Sequence, residues 1–249
     1  MRYQARAIVA AILLAGALAG CGEPHEPDLI VFAAASLKKA FTQIGEWYEA
    51  ENPGLDVEFV FAGSADLLTQ LVGGAPADVL ATADAATMDR ATEAGLLFSA
   101  PVNFATNTLT IVVAPGNPRM VTSFKDLARP GLSVVTCAPQ VPCGGATAKV
   151  EKATGVTLRP VSEESQVSDV LTKVTSGQAD AGLVYVTDAL AAGRAVTAVP
   201  FPEAAGAVNT YPIAVLQQST NLEPAQGFVG LVTGEAGQKI LAAAGFAKP

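Results

Sequence analysis

The sequence is poor in charged and aromatic residues and has almost no histidine. Of its 249 residues, 15% are charged, 6% are aromatic and only His25 is a histidine, whereas 50% are hydrophobic. Half of the chain can therefore build a core, which excludes a disordered, collagen-like or coiled-coil protein. One histidine and three cysteines cannot by themselves form a His-rich zinc or haem site, so we do not expect a metalloenzyme.

The chain also lacks a surplus of basic residues. Its 15 Lys and Arg stand against 23 Asp and Glu, which gives a net charge of −8. Because binding to a nucleic-acid backbone depends on many basic contacts, no nucleic-acid partner is expected.

Catalytic motifs are missing as well. Ser64 lacks the flanking glycines of a Gly-x-Ser-x-Gly elbow, and the single histidine lies in an N-terminal linker. No strand signal is followed by Gly-x-x-x-x-Gly-Lys or by Gly-x-Gly-x-x-Gly. The sequence predicts neither an enzyme nor a bound cofactor.

One short apolar run lies near the N-terminus, at residues 7–19, after Arg2 and Arg6. A positive region, about a dozen apolar residues and a small-residue boundary are typical of a secretory signal. The run is too short to span a ~30 Å hydrocarbon core. We therefore predict a signal peptide over residues 1–20, followed by a linker over residues 21–27.

The signal ends in Leu-Ala-Gly-Cys, which resembles the bacterial lipobox. The resemblance implies cleavage before Cys21 and a lipid on its thiol, whereas the alternative is an ordinary signal with an incidental cysteine. Cleavage leaves 13 basic and 23 acidic residues, and so a mature net charge of −10.

Two cysteines remain after cleavage, Cys137 and Cys143, six residues apart. Outside the cytoplasm, an even pair at so close a spacing predicts a structural disulfide. The pair lacks the Cys-x-x-Cys spacing of redox-active dithiols. A secreted thiol–disulfide enzyme nevertheless stays open as the alternative from a different functional class.

Short strand and helix signals alternate along the chain. Strands are predicted at residues 29–32, 57–61, 78–81, 108–114, 132–137, 181–186 and 209–216, and helices at 37–48, 65–72, 85–94, 147–153 and 167–176, with two more between 224 and 246. Such alternation indicates an α/β fold with parallel βαβ units. Because the alternation restarts near residue 108, we expect two α/β lobes joined by two crossings.

Two similar turns follow the first two strands, VFAAAS at residues 31–36 and VFAGS at residues 60–64. Each predicts a helix that starts at a serine, Ser36 or Ser64, beyond the carboxyl end of a strand. Free N–H groups and tiny side chains at such a turn favour an anion, and ligands of open α/β sheets bind at this edge. Two ordinary serine N-caps are the alternative.

Several motifs, taken in order, resemble the molybdate-binding proteins of ABC importers. They are FAAASL at residues 32–37, FAGS at 61–64, GAPAD at 74–78, and GLVY at 182–185 with Asp188-Ala189. The resemblance covers residues 28–246. It implies a two-lobed type II periplasmic-binding-protein fold of the α/β class, with a ligand cleft between the lobes. We expect the first lobe at residues 28–107 plus 206–249, and the second at 108–205.

The resemblance also implies a site for one tetrahedral oxyanion. Ser36 and Ser64 would donate hydroxyl and backbone N–H bonds, Cys143 and Val167 backbone N–H bonds, and Tyr185 its phenol. Alanine is common in the family where Cys143 stands, but a backbone donor tolerates that change. Since none of the five positions holds Lys or Arg, neutral donors would hold the dianion, and cavity size and donor count would set its specificity.

The expected function is therefore that of a monomeric, lipid-anchored receptor on the extracytoplasmic face of the cell membrane. It would bind molybdate or tungstate and deliver the anion to an ABC permease. The alternative among binding proteins is a receptor for sulfate, thiosulfate or another oxyanion.

Overall fold

The computed structural model describes residues 27–249, in which two five-stranded sheets are each covered by helices. The predicted signal peptide, Cys21 and most of the predicted linker lie outside the described residues. The strands are β1 Leu29–Ala34, β2 Val57–Ala62, β3 Val79–Ala81, β4 Val102–Asn107, β5 Leu109–Val113, β6 Val134–Cys137, β7 Ser162–Glu164, β8 Ala181–Tyr185, β9 Thr197–Val199 and β10 Asn209–Val215. The α-helices are α1 Lys38–Glu51, α2 Ser64–Val72, α3 Ala85–Glu93, α4 Pro142–Thr154, α5 Val167–Thr175, α6 Val186–Ala192, α7 Leu222–Thr233 and α8 Glu235–Ala243.

The first sheet has the strand order β2-β1-β3-β10-β4. Strand β1 pairs in parallel with β2 and β3, as the βαβ pattern predicts, but β10 is antiparallel to both β3 and β4. Helices α7 and α8 follow β10 and pack against α1. The C-terminal segment thus returns to the first sheet, which periodicity alone does not predict. We call this sheet with α1–α3, α7 and α8 lobe 1.

The second sheet has the order β7-β6-β8-β5-β9 and, with α4–α6, forms lobe 2. Strand β6 is parallel to β7 and β8, whereas β5 is antiparallel to β8 and β9. Both sheets are therefore mixed, and the expectation of parallel units holds only for part of each. Three strands were not predicted from the sequence: β4, β7 and β9. Strands β7 and β9 have only three residues each, and β4 lies just before residue 108, where the alternation was expected to restart.

The chain crosses between the lobes twice. Only Thr108 separates β4 of lobe 1 from β5 of lobe 2, and residues 200–208 connect β9 to β10. Asn107 and Asn209 lie directly opposite each other in the β4–β10 pair, at the point where both crossings meet lobe 1. Among the described residues, no helix combines the length and the apolar character that crossing a membrane requires.

Candidate functional site

All five residues predicted for the site line one small cavity between the lobes. Ser36 and Ser64 belong to lobe 1, whereas Cys143, Val167 and Tyr185 belong to lobe 2. The other lining residues are small, apolar or neutral: Ala34, Ala35, Ala62, Gly63, Ala83, Val141, Pro142 and Gln166. The wall therefore carries no formal charge.

The cavity is small enough to exclude most metabolites. Its volume is about 10 Å³, and on the same scale a cavity needs ~10–15 Å³ to hold one water. On the same scale, a cavity of about 620 Å³ lies beside α6 and β9, but its wall is largely apolar and contains none of the five residues. The lining residues therefore identify the site better than its size does, and the cavity leaves room for about one water and none for a sugar or a peptide.

Four helical segments begin at the cavity wall. A 3₁₀ turn at Ala35–Leu37 leads into α1, and α2, α4 and α5 begin at Ser64, Pro142 and Val167. The first N–H groups of a helix have no acceptor within the helix, and this end carries a partial positive charge. The N–H groups that open these segments are thus available to an anion in the cavity.

Neither serine caps its helix, so the capping alternative for both turns is wrong. The N-cap positions are occupied by Ala34 and Gly63, and neither segment has a side-chain capping bond. Ser36 lies inside the 3₁₀ turn and Ser64 is the first residue of α2, whereas a capping side chain belongs to the residue before the helix.

The two serine hydroxyls are instead bonded inside the protein. Ser64 Oγ accepts a hydrogen bond from the N–H of Ala83 at 3.0 Å, and Ser36 Oγ lies 3.1 Å from the Tyr211 hydroxyl. Because Ala83 supplies a donor, Ser64 keeps its own proton for a ligand. Ser36 has the same freedom when Tyr211 is the donor of that pair.

Tyr185 reaches the cavity from the end of β8 and is 1% exposed. Burial, with smaller contributions from Tyr211 and Asp84, raises its pKa well above the ordinary value, so the phenol stays protonated. Asn209 Nδ2 donates to the Tyr185 hydroxyl at 2.7 Å. The phenol is thus a neutral hydrogen-bond donor.

Asp188 supports Tyr185 from behind. The N–H of Tyr185 donates to Asp188 Oδ2 at 3.0 Å. Burial nevertheless raises the pKa of Asp188 to about 7, against the lowering effect of that hydrogen bond. This carboxyl group does not line the small cavity.

The turn before α4 is closed by a disulfide between Cys137 and Cys143. Cys137 ends β6 and Cys143 is the second residue of α4. A Cβ added to Gly144 would lie 1.9 Å from the carbonyl oxygen of Ala138, so no side chain fits there. The disulfide and the glycine together hold the start of α4, and with it the Cys143 N–H group, against the end of β6.

Gly63 allows the lobes to approach each other. A Cβ added to it would lie 2.1 Å from the carbonyl oxygen of Ser165 in lobe 2. Since the φ of Gly63 is −59°, space rather than backbone conformation requires a glycine here.

The residues behind the donors were not predicted from the sequence: Ala83, Asn209 and Tyr211. Asn209 opens a predicted strand and Tyr211 lies within it, where both are ordinary components of a strand. No local pattern distinguishes these two residues, because each acts on a group that is distant in sequence. Asn209 donates to the Tyr185 hydroxyl of lobe 2, and the Tyr211 hydroxyl lies beside Ser36 Oγ of lobe 1.

The chain is similar to known proteins in both sequence and fold. The family described as bacterial extracellular solute-binding protein matches residues 29–247. The molybdate-binding protein ModA of Mycobacterium tuberculosis is 56% identical over 253 residues, which cover 97% of each chain.

Solved structures show the same fold. The periplasmic molybdate-binding protein of Azotobacter vinelandii has a TM-score of 0.77 at 21% identity and covers 89% of this chain and 99% of its own. The sulfate-binding protein SubI of M. tuberculosis has a TM-score of 0.80 at 21% identity, with coverages of 90% and 87%. The predicted two-lobed α/β fold of periplasmic binding proteins is thereby confirmed.

Proposed function

The chain belongs to the family of bacterial extracellular solute-binding proteins, and from that premise we propose that it is the molybdate receptor of an ABC importer. The observation that carries this proposal is the uncharged cavity between the lobes. Five residues there, Ser36, Ser64, Cys143, Val167 and Tyr185, offer hydroxyl or helix-start N–H groups to one small anion.

Neutral donors are sufficient to bind a buried dianion. Hydrogen bonds to a charged acceptor are about twice as strong as neutral ones, and helix N-termini add a favourable electrostatic potential. Because no lining residue is basic, the anion is selected by the number and position of the donors. An oxyanion with shorter bonds, such as sulfate, would leave donors unpaired at a cost of ~1–3 kcal/mol each. Tungstate, a tetrahedral oxyanion like molybdate, is the expected second ligand.

A sulfate receptor is the second candidate function. It is favoured by the likeness in fold to SubI, and the 56% identity to ModA favours molybdate. Titration of the mature protein with molybdate, tungstate, sulfate and phosphate separates the two. We expect molybdate and tungstate to bind at least about a hundredfold more tightly than sulfate. Tighter binding of sulfate would make the protein a sulfate receptor, and no binding of any oxyanion would refute the site.

The same proposal covers location and partners. A lipid on Cys21 would hold the mature protein, as a monomer, at the extracytoplasmic face of the cell membrane beside an ABC permease. Residues 28–107 plus 206–249 and residues 108–205 would close on the anion as two lobes. The relatives are transport proteins, so no catalytic role is proposed.

The remaining alternative, a thiol–disulfide enzyme, is tested by alkylation of Cys137 and Cys143 with and without reductant. A structural disulfide should resist a mild reductant that opens a catalytic one.

A further inference from the structure

The disulfide of lobe 2 ends on a residue that can supply a backbone donor to the small cavity. Cys137 is the last residue of β6 and Cys143 is the second residue of α4, with a Cα–Cα distance of 5.7 Å. Both are buried, and Cys143 lines the cavity. The covalent link to the sheet and the N–H group offered to an anion therefore belong to the same residue.

The N–H group of Cys143 is the first one that α4 has to offer. Pro142, the first residue of the helix, has no N–H group. The N–H of Gly145 already donates to the carbonyl oxygen of Val141 at 2.8 Å, and Gly144 does not line the cavity. The contribution of α4 to the site thus depends on where Cys143 is held.

The disulfide fixes Cys143 to the part of the sheet that also leads to the other backbone donor of lobe 2. Cys137 pairs with Glu164 of β7, and the N–H of Ala138 donates to the carbonyl oxygen of Glu164 at 2.9 Å. Shortly after Glu164, α5 begins at Val167, which lines the cavity. One end of the sheet therefore sets the positions of both N–H donors relative to each other.

Two hydrogen bonds also hold the start of α4. Within lobe 2, the N–H of Val141 donates to the carbonyl oxygen of Ala138 at 2.9 Å. From lobe 1, Asn209 Nδ2 donates to the carbonyl oxygen of Pro142 at 3.1 Å, so this contact depends on how the two lobes are placed. A covalent link within lobe 2 acts whatever the placement of the lobes. A donor that is held in advance does not have to be ordered when the anion binds.

We infer that Cys137 is a positioning residue: through its disulfide it holds the Cys143 N–H group ready for the anion, so that the disulfide and the bound anion stabilise each other. The inference rests on the proposed function and deepens it. Reduction by a dithiol transfers two electrons and two protons, breaks the S–S bond and leaves one thiol on each residue, while the dithiol becomes a cyclic disulfide. The start of α4 is then released from β6. Because linkage is reciprocal, an anion that binds the oxidised protein more tightly must also make the disulfide harder to reduce.

The first test compares a double variant, Cys137→Ala with Cys143→Ala, with the control Gly155→Ala. The double variant keeps the N–H group of position 143 and removes the covalent link. Gly155 caps the other end of α4 with a φ of +70°, which alanine adopts only with strain, and it does not line the cavity. Without anion, both variants should melt at a lower temperature than the wild type. Only the double variant should bind molybdate more weakly, by about tenfold, in a calorimetric titration.

The second test measures the linkage on the wild-type protein. The mature protein is equilibrated in dithiothreitol buffers of graded reduced-to-oxidised ratio, with saturating tungstate or with sodium chloride of equal ionic strength. Alkylation and mass spectrometry then give the fraction of Cys137 and Cys143 that is reduced. Tungstate replaces molybdate here because thiols reduce it less readily. If the oxidised protein binds the anion about tenfold more tightly than the reduced protein, tungstate should lower the reduction potential of the pair by about 30 mV.

The inference is overturned if the double variant binds molybdate as tightly as the wild type, or if Gly155→Ala weakens binding as much. A reduction potential that is the same with tungstate and with chloride overturns it as well. Should the double variant not fold, the redox measurement on the wild type decides alone. A wild-type protein that binds neither anion defeats the proposed function and this inference with it, whereas tight binding that is independent of the disulfide defeats the inference alone.

Discussion

Replacing Ser64 by alanine removes one hydroxyl from the cavity and little else. Ser64 is 1% exposed, and its Oγ accepts from Ala83 at 3.0 Å, so its proton is free for the anion. A hydrogen bond to a charged group contributes ~1.5–3 kcal/mol. We therefore expect Ser64→Ala to raise the Kd for molybdate by roughly ten- to hundredfold, because about 1.4 kcal/mol corresponds to a factor of ten.

The same substitution lowers stability through a different group. The N–H of Ala83 loses its acceptor in a buried place, which costs ~1–3 kcal/mol of unfolding free energy. Loss of a helix cap does not contribute, since Gly63 occupies that position.

Calorimetric titration with molybdate measures the first effect, and urea unfolding without anion measures the second. Ser165→Ala is the matched control, because Ser165 is exposed although its carbonyl lies against Gly63. The reasoning is refuted if folded Ser64→Ala binds molybdate as tightly as the wild type, or if Ser165→Ala weakens binding as much.

Four further outcomes are expected. Adding molybdate should reduce the radius of gyration measured by X-ray scattering as the lobes close, and tight binding with an unchanged scattering curve would contradict closure. Gly63→Ala should hold the lobes apart, because the new Cβ would meet the Ser165 carbonyl oxygen. We expect molybdate binding to become about tenfold weaker and the radius of gyration of the anion-bound protein to increase. Wild-type values of both quantities would refute the contact. Asp188→Asn should remove a pH dependence of the free energy of unfolding. The pKa of Asp188 is about 7 in the folded protein and ~3.9 in the unfolded chain. The wild-type side chain therefore contributes roughly 4 kcal/mol to the free energy of unfolding below about pH 4, and this contribution is lost as the pH rises through 7. Urea unfolding of both proteins from acidic to neutral pH checks this, and parallel curves would refute it. Cys21→Ser should release the protein from the membrane fraction, and unchanged attachment without another anchor would contradict the predicted lipidation.

The sequence alone was sufficient to predict where the local elements of the site begin and end. Two tiny-residue turns followed by Ser36 and Ser64 predicted helix starts at strand ends, and the structure has both. These signals are read from a few neighbouring residues, because helix starts and strand runs depend mainly on local propensity and hydrophobic periodicity. The motif order then indicated the molybdate-binding proteins. The match to the bacterial extracellular solute-binding proteins and the 56% identity to ModA of M. tuberculosis confirm that resemblance.

The role of each hydroxyl was decided only by the tertiary structure. Local pattern made the two serines capping candidates, yet Ser36 meets Tyr211, 175 residues away in sequence, and Ser64 meets Ala83. In the same way, Asn209 contacts Tyr185 because β10 returns to the first sheet antiparallel and places its first residue at the lobe crossing. The pairing of β10 with β3 and β4 is set by the burial of the two faces of the sheet and by the order in which the chain connects the strands. Which groups remain free to bind an anion is therefore a property of the assembled lobes, whereas the positions that supply those groups are already visible in the sequence.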